Sequence, residues 1–360
     1  MENITLKPKK AELTGMVAGL AALSVIMLVF PKSSPVLTFA VPLLACPLSG
    51  HRKQQTVAWI STCIPAAAML LAGYDLLLSF SLLLPGTLLM GLTRFLQKQK
   101  RMNPADMLWY MAALAVSVSV ILAALTHALD GNLVQRLADA VISAIEASDQ
   151  RAALLYRLAA SGLISVPEGY GQGGLMGQLM EATHSRQMLM SLRLTLETLI
   201  TNALPSLCVQ LSLIVGMFAC LRVQHMNGVV VVVEINRENP TERRAHVSAP
   251  PGFRLFYLPR AIRWTAVIVA FVSLMLKTGG GTLEWTLGTM GYAGFETLFR
   301  LEGAAIAVFM LTRRDEDRAV MAGILACAIY VLAPGVLMVM ALLEPVFHFR
   351  SPQDDNPDEE

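Results

Sequence analysis

Charge is scarce in this chain. Only 15% of its 360 residues are Asp, Glu, Lys or Arg, against roughly 25% in an ordinary soluble domain, while 55% are hydrophobic. That balance excludes one large soluble core and implies helices whose outer faces meet lipid. A net charge of +2 excludes the basic surface that nucleic-acid binding requires. The five cysteines, Cys46, Cys63, Cys208, Cys220 and Cys327, stand singly in apolar runs. None pairs at metal-ligand spacing and no disulfide framework is visible, so they read as buried free thiols. The chain has no GxxxxGK[ST] loop, no HExxH helix and no GxSxG elbow, and its six histidines do not cluster. Catalytic residues, metal ligands and cofactors are accordingly none in this reading, and the chain is taken as a non-enzyme.

What it has is long apolar runs. A membrane-spanning helix needs about 20 apolar residues, and nine stretches qualify: 12–30, 35–49, 56–73, 75–93, 106–128, 199–221, 261–277, 282–312 and 319–343. The second is short and carries Pro42 and Pro47, so it reads as tilted, broken or re-entrant. Met1 to Lys10 is basic and lacks a clean cleavage site, so the first span reads as a retained helix. Basic residues recur in every second connection: Lys7, Lys9 and Lys10; Arg52 and Lys53; Arg94 to Arg101; Arg222 to Arg263; Arg313 to Arg318. The positive-inside rule then puts the N-terminus, 94–105, 222–260 and 313–318 in the cytoplasm and 129–198 outside.

The expected fold is an all-α polytopic bundle of about eight or nine spans, with amphipathic surface helices and a small cytoplasmic β-hairpin. Residues 1–128 form the N-terminal spans. Residues 129–198 form an amphipathic insertion on the outer face, where Leu133, Leu137, Val141 and Ile145 recur every four residues. Further helices are expected at about 150–162 and 174–196, the latter carrying Met176, Met180, Met188 and Met190, with a flexible loop at 167–174 between them. Residues 199–350 form the C-terminal spans. Their connection 222–260 holds the valine run 229–233, which pairs with 246–248 across a polar turn. The acidic tail, 351–360, is read as disordered.

The residues that best point to function lie in 282–312. Glu296, Arg300 and Glu302 interrupt an apolar run, and a charge at the centre of a membrane helix costs about 2.5–3.5 kcal/mol. Such residues face a bundle interior or a wet cavity. Glu296 and Arg300 stand four apart and can pair. Glu302 points to another face and needs a partner from another helix or from water. A structural ion pair and a ligand site both fit, with Arg300 as a clamp for carboxylate or phosphate and the glutamates for a cation. Counted from Arg313, Arg300 lies about 20 Å along the helix, past the middle of a bilayer core. Glu-x-x-x-Arg is also similar to the motif of membrane-embedded prenyl proteases, but Phe295 stands where that motif has a second Glu. In the first span Gly15, Ala18, Gly19 and Ala22 form a small-residue face that suits close helix packing, inside the bundle or against a partner membrane protein.

Three fragments carry a resemblance. Phe253-x-x-Phe256-x-Leu258-Pro259 precedes a span; Phe299-x-Leu301-Glu302-Gly303-Ala304-Ala305 lies within one; Phe347-His348-Phe349-Arg350 closes the last. Their order resembles the YybS-like family of predicted bacterial membrane proteins, whose function is unknown. Glu302 stands where the family pattern has Gln, and His348 where it has Asp. That family is distantly similar to the substrate-binding S components of energy-coupling-factor vitamin transporters. The resemblance implies a bacterial inner-membrane protein that binds a small vitamin-like molecule. It also implies docking on a membrane energising subunit through Gly15, Ala18, Gly19 and Ala22. A non-transporting structural or assembly factor of the cell envelope is the alternative.

Overall fold

The computed structural model describes residues 10–49, 54–98, 106–129, 133–164, 182–227, 230–235, 243–248, 252–279, 282–312, 319–347 and 349–350. The expected loop at 167–174, Met176, Met180, the basic turn 313–318, His348 and the acidic tail 351–360 lie outside these residues.

The described residues are overwhelmingly helical. In order run α1 (Lys10–Val29), α2 (Ser34–Leu37), α3 (Ala40–Ser49), α4 (Gln55–Leu71), α5 (Leu76–Ser81), α6 (Leu84–Lys98) and α7 (Asp106–Ala128). They are followed by α8 (Leu133–Glu146), α9 (Arg151–Ala160) and α10 (Ala182–Asn227). After a two-stranded ladder come α11 (Arg260–Thr278), α12 (Thr282–Thr312), α13 (Ala319–Leu332) and α14 (Pro334–Phe347).

The expected eight or nine spans are not found. Among the described residues, five helical segments are long and apolar enough to cross a membrane: Glu12–Val29, Leu76–Leu96, Asp106–Ala128, Arg186–Met226 and Arg260–Thr278. A sixth is added only if the bent pair α13–α14 counts as one. The physical reasons differ from place to place. Stretch 35–49 breaks into α2 and α3, and the ten residues of α3 reach only about 15 Å. In α4, Gly73 closes the helix at φ 78°, a conformation open to glycine at little cost, and only 17 residues remain. Asp75 then caps α5, its Oδ2 accepting from the Leu77 and Leu78 N–H groups at 3.1 and 3.2 Å. Stretch 282–312 is one helix, but Glu296, Arg300 and Glu302 put too many charges in its apolar part for it to count among the five. Stretch 319–343 breaks at Ala333–Pro334, where the two helices bend by 108°.

The backbone segments Val230–Ile235 and Arg243–Ser248 pair antiparallel, with Val231 opposite Val247 and Glu234 opposite Arg244. Two strands alone bury too little to stand as a layer. The expected fold class, a bundle of eight or nine spans with a hairpin as one component, is therefore corrected to an all-helical architecture with about five candidate spans among the described residues.

The boundary drawn at 198/199 also falls away. The backbone of α10 runs unbroken for 46 residues, about 69 Å, more than twice a bilayer core. Its N-terminal part packs with α8 and α9 around Leu155, Ile164, Met188, Leu189 and Leu192, a small core of its own. Met188 is buried there, whereas Met190 is exposed. The C-terminal part of α10 joins the two halves of the bundle, packing on α3 and α7 on one side and on α12 on the other. Gly216 makes the α7 contact possible, since a Cβ there would meet the Met111 backbone at 2.8 Å. Thr93 Oγ1 and the Tyr110 hydroxyl, 2.8 Å apart and both fully buried, satisfy each other inside the main core.

Candidate functional site

α12 carries all three charged residues singled out in the sequence, and the structure separates them into two sites. α11 and α12 are antiparallel neighbours. Near one end of the pair, Gly288 and Gly291 lie against Ser273 and Lys277. Here the Lys277 ammonium sits 4.8 Å from the Tyr292 ring centre and 5.8 Å from that of Trp285, within cation–π range. Trp285 Nε1 donates to Asn202 Oδ1 at 2.9 Å, tying α12 to α10. At the other end, Glu302 meets the first turn of α11.

Glu302 is fully buried. Its Oε1 accepts from the Leu258 N–H at 3.0 Å, from Arg263 Nη2 at 2.6 Å and from Arg350 Nη2 at 3.4 Å. Arg350 in turn donates from Nε to Glu344 Oε1 at 3.0 Å and from Nη1 to the Phe256 carbonyl. Two carboxylates and two guanidinium groups thus cancel, and the cluster binds four segments together: the 252–259 connection, α11, α12 and the end of α14. Glu302 Oε2 has no hydrogen-bond partner among the described residues, so the site is neutral in charge without being saturated. The expectation that Glu302 takes its partner from another helix agrees with Arg263. This cluster sits level with the start of α11.

Glu296 and Arg300 form the i,i+4 pair. Their side chains keep 24% and 18% exposure, unlike Glu302. The Tyr330 phenol of α13 lies beside Thr297 and Arg300. Arg300 Nε is buried without a hydrogen-bond partner among the described residues. Phe295 and Phe299 stack obliquely with ring centres 4.7 Å apart and wall the same helix on its core side.

The small residues of α1 lie apart from both sites. Met16, Leu20, Ser24 and Met27 make the buried face of α1. Gly15, Ala18 and Ala22 are exposed, and only Gly19 touches the bundle, against Leu44. No group of three or more His, Cys, Asp or Glu able to hold a metal is found among the described residues. Two open concavities stand out elsewhere: one on α8 lined by Arg136 and Asp139, and one between α5 and α7 lined by Asp75, Phe80 and Val120.

Sequence reading missed Arg263, Arg350, Glu344 and Tyr330 as partners. A signal for three of the cluster's four segments was present. The three fragments that carry the family resemblance meet at one point, contributing the Phe256 carbonyl, the Leu258 N–H, Glu302 and Arg350. Comparison of the chain with protein-family models, with curated proteins and with solved structures gives no match.

Proposed function

We propose that the protein is an inner-membrane component, its N-terminus cytoplasmic, that binds a small anionic solute at Arg300 and serves in its uptake. The observation that carries this reading is the unequal state of the two charged sites. The Glu302 carboxylate is fully buried and shared by two guanidinium groups. The Glu296–Arg300 pair is partly exposed, and Arg300 Nε beside it has no hydrogen-bond partner among the described residues. A guanidinium with a free edge next to a phenol is the donor set that a carboxylate or phosphate recruits. Glu296 then stands in for the solute until it arrives.

A second reading is favoured by a different observation. Neither of the two open concavities is lined by Glu296, Arg300 or Glu302, as suits a non-transporting structural or assembly factor whose charges only hold helices together. Purification from native membranes, with mass spectrometry of bound small molecules and copurifying proteins, separates the two. Uptake predicts an anionic molecule enriched with the wild type and with Glu302→Gln but lost with Arg300→Gln and reduced with Tyr330→Phe. If Arg300→Gln and the wild type carry the same small molecules, or none, the ligand reading fails and the structural one stands.

A further inference from the structure

We propose that α13 and α14 form a re-entrant hairpin. The chain enters and leaves the bilayer at the Arg263 end of α11, and the apolar apex of the hairpin lies among the acyl chains of that leaflet. Residue 350 and the tail then share a side with residues 252–259.

The direction of each segment follows from its neighbours. α12 runs from the Lys277 end of α11 towards the Arg263 end, because Gly291 meets Ser273 and Glu302 meets Arg263. The chain leaves α12 at Thr312, ten residues beyond Glu302 and so about 15 Å further in the same direction. α13 folds back along α12. Ala322 and Ala326 share a buried cluster with Ala304, Ala307 and Val308, and Tyr330 reaches Thr297 and Arg300. It stops at Leu332, when the nine residues from Thr297 to Gly288, about 14 Å of α12, still separate it from the Lys277 end. There the 108° bend turns the chain into α14. The Leu337 carbonyl comes up against Gly303, and Arg350 returns to Glu302 and the Phe256 carbonyl. Leu337 and Arg350 thus meet adjacent residues of α12, so α14 lies across α12 at that level and the chain ends on the side from which the pair set out.

Their lengths agree. Each arm has 14 residues, about 21 Å, short of a core of about 30 Å. The surface says what covers them. Val331 and Leu332 at the apex are 76% and 83% exposed, and Val320, Val339 and Val346 are also bare. Glu344 is the sole charged residue from 319 to 347, and it is tied to Arg350. A helix pair that is apolar on every open face is solvated by lipid, not by water.

The test uses the full chain in membrane vesicles with the five native cysteines replaced by alanine. Single cysteines are placed at Leu255, Thr278 and Ser351. A membrane-impermeant maleimide is expected to label Ser351→Cys from the same side as Leu255→Cys and from the opposite side to Thr278→Cys. Labelling of Ser351→Cys from the Thr278 side would make the pair a broken span and overturn the proposal; Pro352→Cys repeats the measurement should Ser351→Cys disturb the Arg350 contact. An environment-sensitive fluorophore at Leu332→Cys or Val331→Cys is expected to be quenched by nitroxide-bearing lipid and not by aqueous iodide. Quenching by iodide, or protection from both by a crosslinkable second copy or other protein, would sink the lipid assignment.

Discussion

Replacing Glu302 by leucine removes an acceptor that three donors share. The Leu258 N–H and Arg263 bonds, at 3.0 and 2.6 Å, are short enough to be strong, and the Arg350 contact at 3.4 Å is weaker. A charge-assisted hydrogen bond contributes about 1.5–3 kcal/mol, and an abandoned buried charge adds its own desolvation cost. Breaking a buried ion pair from one side costs about 3–5 kcal/mol. Glu302→Leu should fall in that range, because Arg263 and Arg350 would then face only Glu344. Glu302→Gln keeps an acceptor oxygen but loses the charge. Since a charged hydrogen bond is roughly twice as strong as a neutral one, its loss should be about 1–3 kcal/mol. The double variant Glu302→Leu with Arg263→Leu removes both desolvated charges and should regain most of what Glu302→Leu lost. Thermal unfolding in one detergent, followed by tryptophan fluorescence, gives the order wild type, Glu302→Gln, Glu302→Leu, with the double variant above Glu302→Leu. Were Glu302→Leu to melt with the wild type, the cluster would hold nothing together and its structural role would be refuted.

Three further outcomes are expected. Arg300→Ala should destabilise by stranding Glu296, and Glu296→Leu with Arg300→Leu should recover it; a stable double variant that has lost its small molecule separates the ligand role from the structural one. Gly303→Ala should lose at least about 1–3 kcal/mol of stability by overpacking, since a Cβ there would lie 1.9 Å from the Leu337 carbonyl oxygen; a wild-type melting curve would show that α12 and α14 do not cross so closely. Ala22→Leu should leave melting unchanged, because that face of α1 is open, yet reduce recovery of a partner subunit in pull-downs if the small-residue face docks one; unchanged recovery would leave that face to lipid.

What the sequence made legible was local. The i,i+4 spacing of Glu296 and Arg300 is enough to predict their pairing. The odd position of Glu302 is enough to demand a partner from elsewhere. It does not say which, because Arg263 and Arg350 stand 39 and 48 residues away and had been counted only as loop charge and motif end. Span counting failed for a related reason. Hydropathy averages over a window and is blind to a backbone break, so Ala333–Pro334 and the Pro-rich 35–49 read as spans. In α10 the error ran the other way: polarity changes near 198 while the backbone continues, and even Pro205 lies inside the helix. In α1, Gly15, Ala18 and Ala22 of the small-residue face are exposed, and Gly19 meets Leu44. Which face met the bundle was decided by the larger side chains of Met16, Leu20 and Met27, since they bury more apolar surface.

Glu302 and Gly303 are neighbours, and their two roles form one device. A side chain at 303 would hold the α14 backbone away from α12, and Arg350 lies only three residues beyond the end of α14. The missing Cβ thus brings Arg350 within reach of Glu302, and Glu302 in turn gives the close approach an electrostatic reason to persist. Arg263 approaches from the opposite side, so one buried carboxylate fixes the start of α11 and the return of the C-terminal hairpin to the same turn of α12. A carboxylate serves this better than an apolar side chain would. Apolar contacts between helices in lipid gain little over contacts with lipid itself, whereas Arg263, on leaving water, gains in Glu302 a carboxylate at 2.6 Å. The scarcity of charge in the chain and the concentration of it here therefore have one cause: in an apolar solvent, ion pairs are the contacts that specify which helices meet.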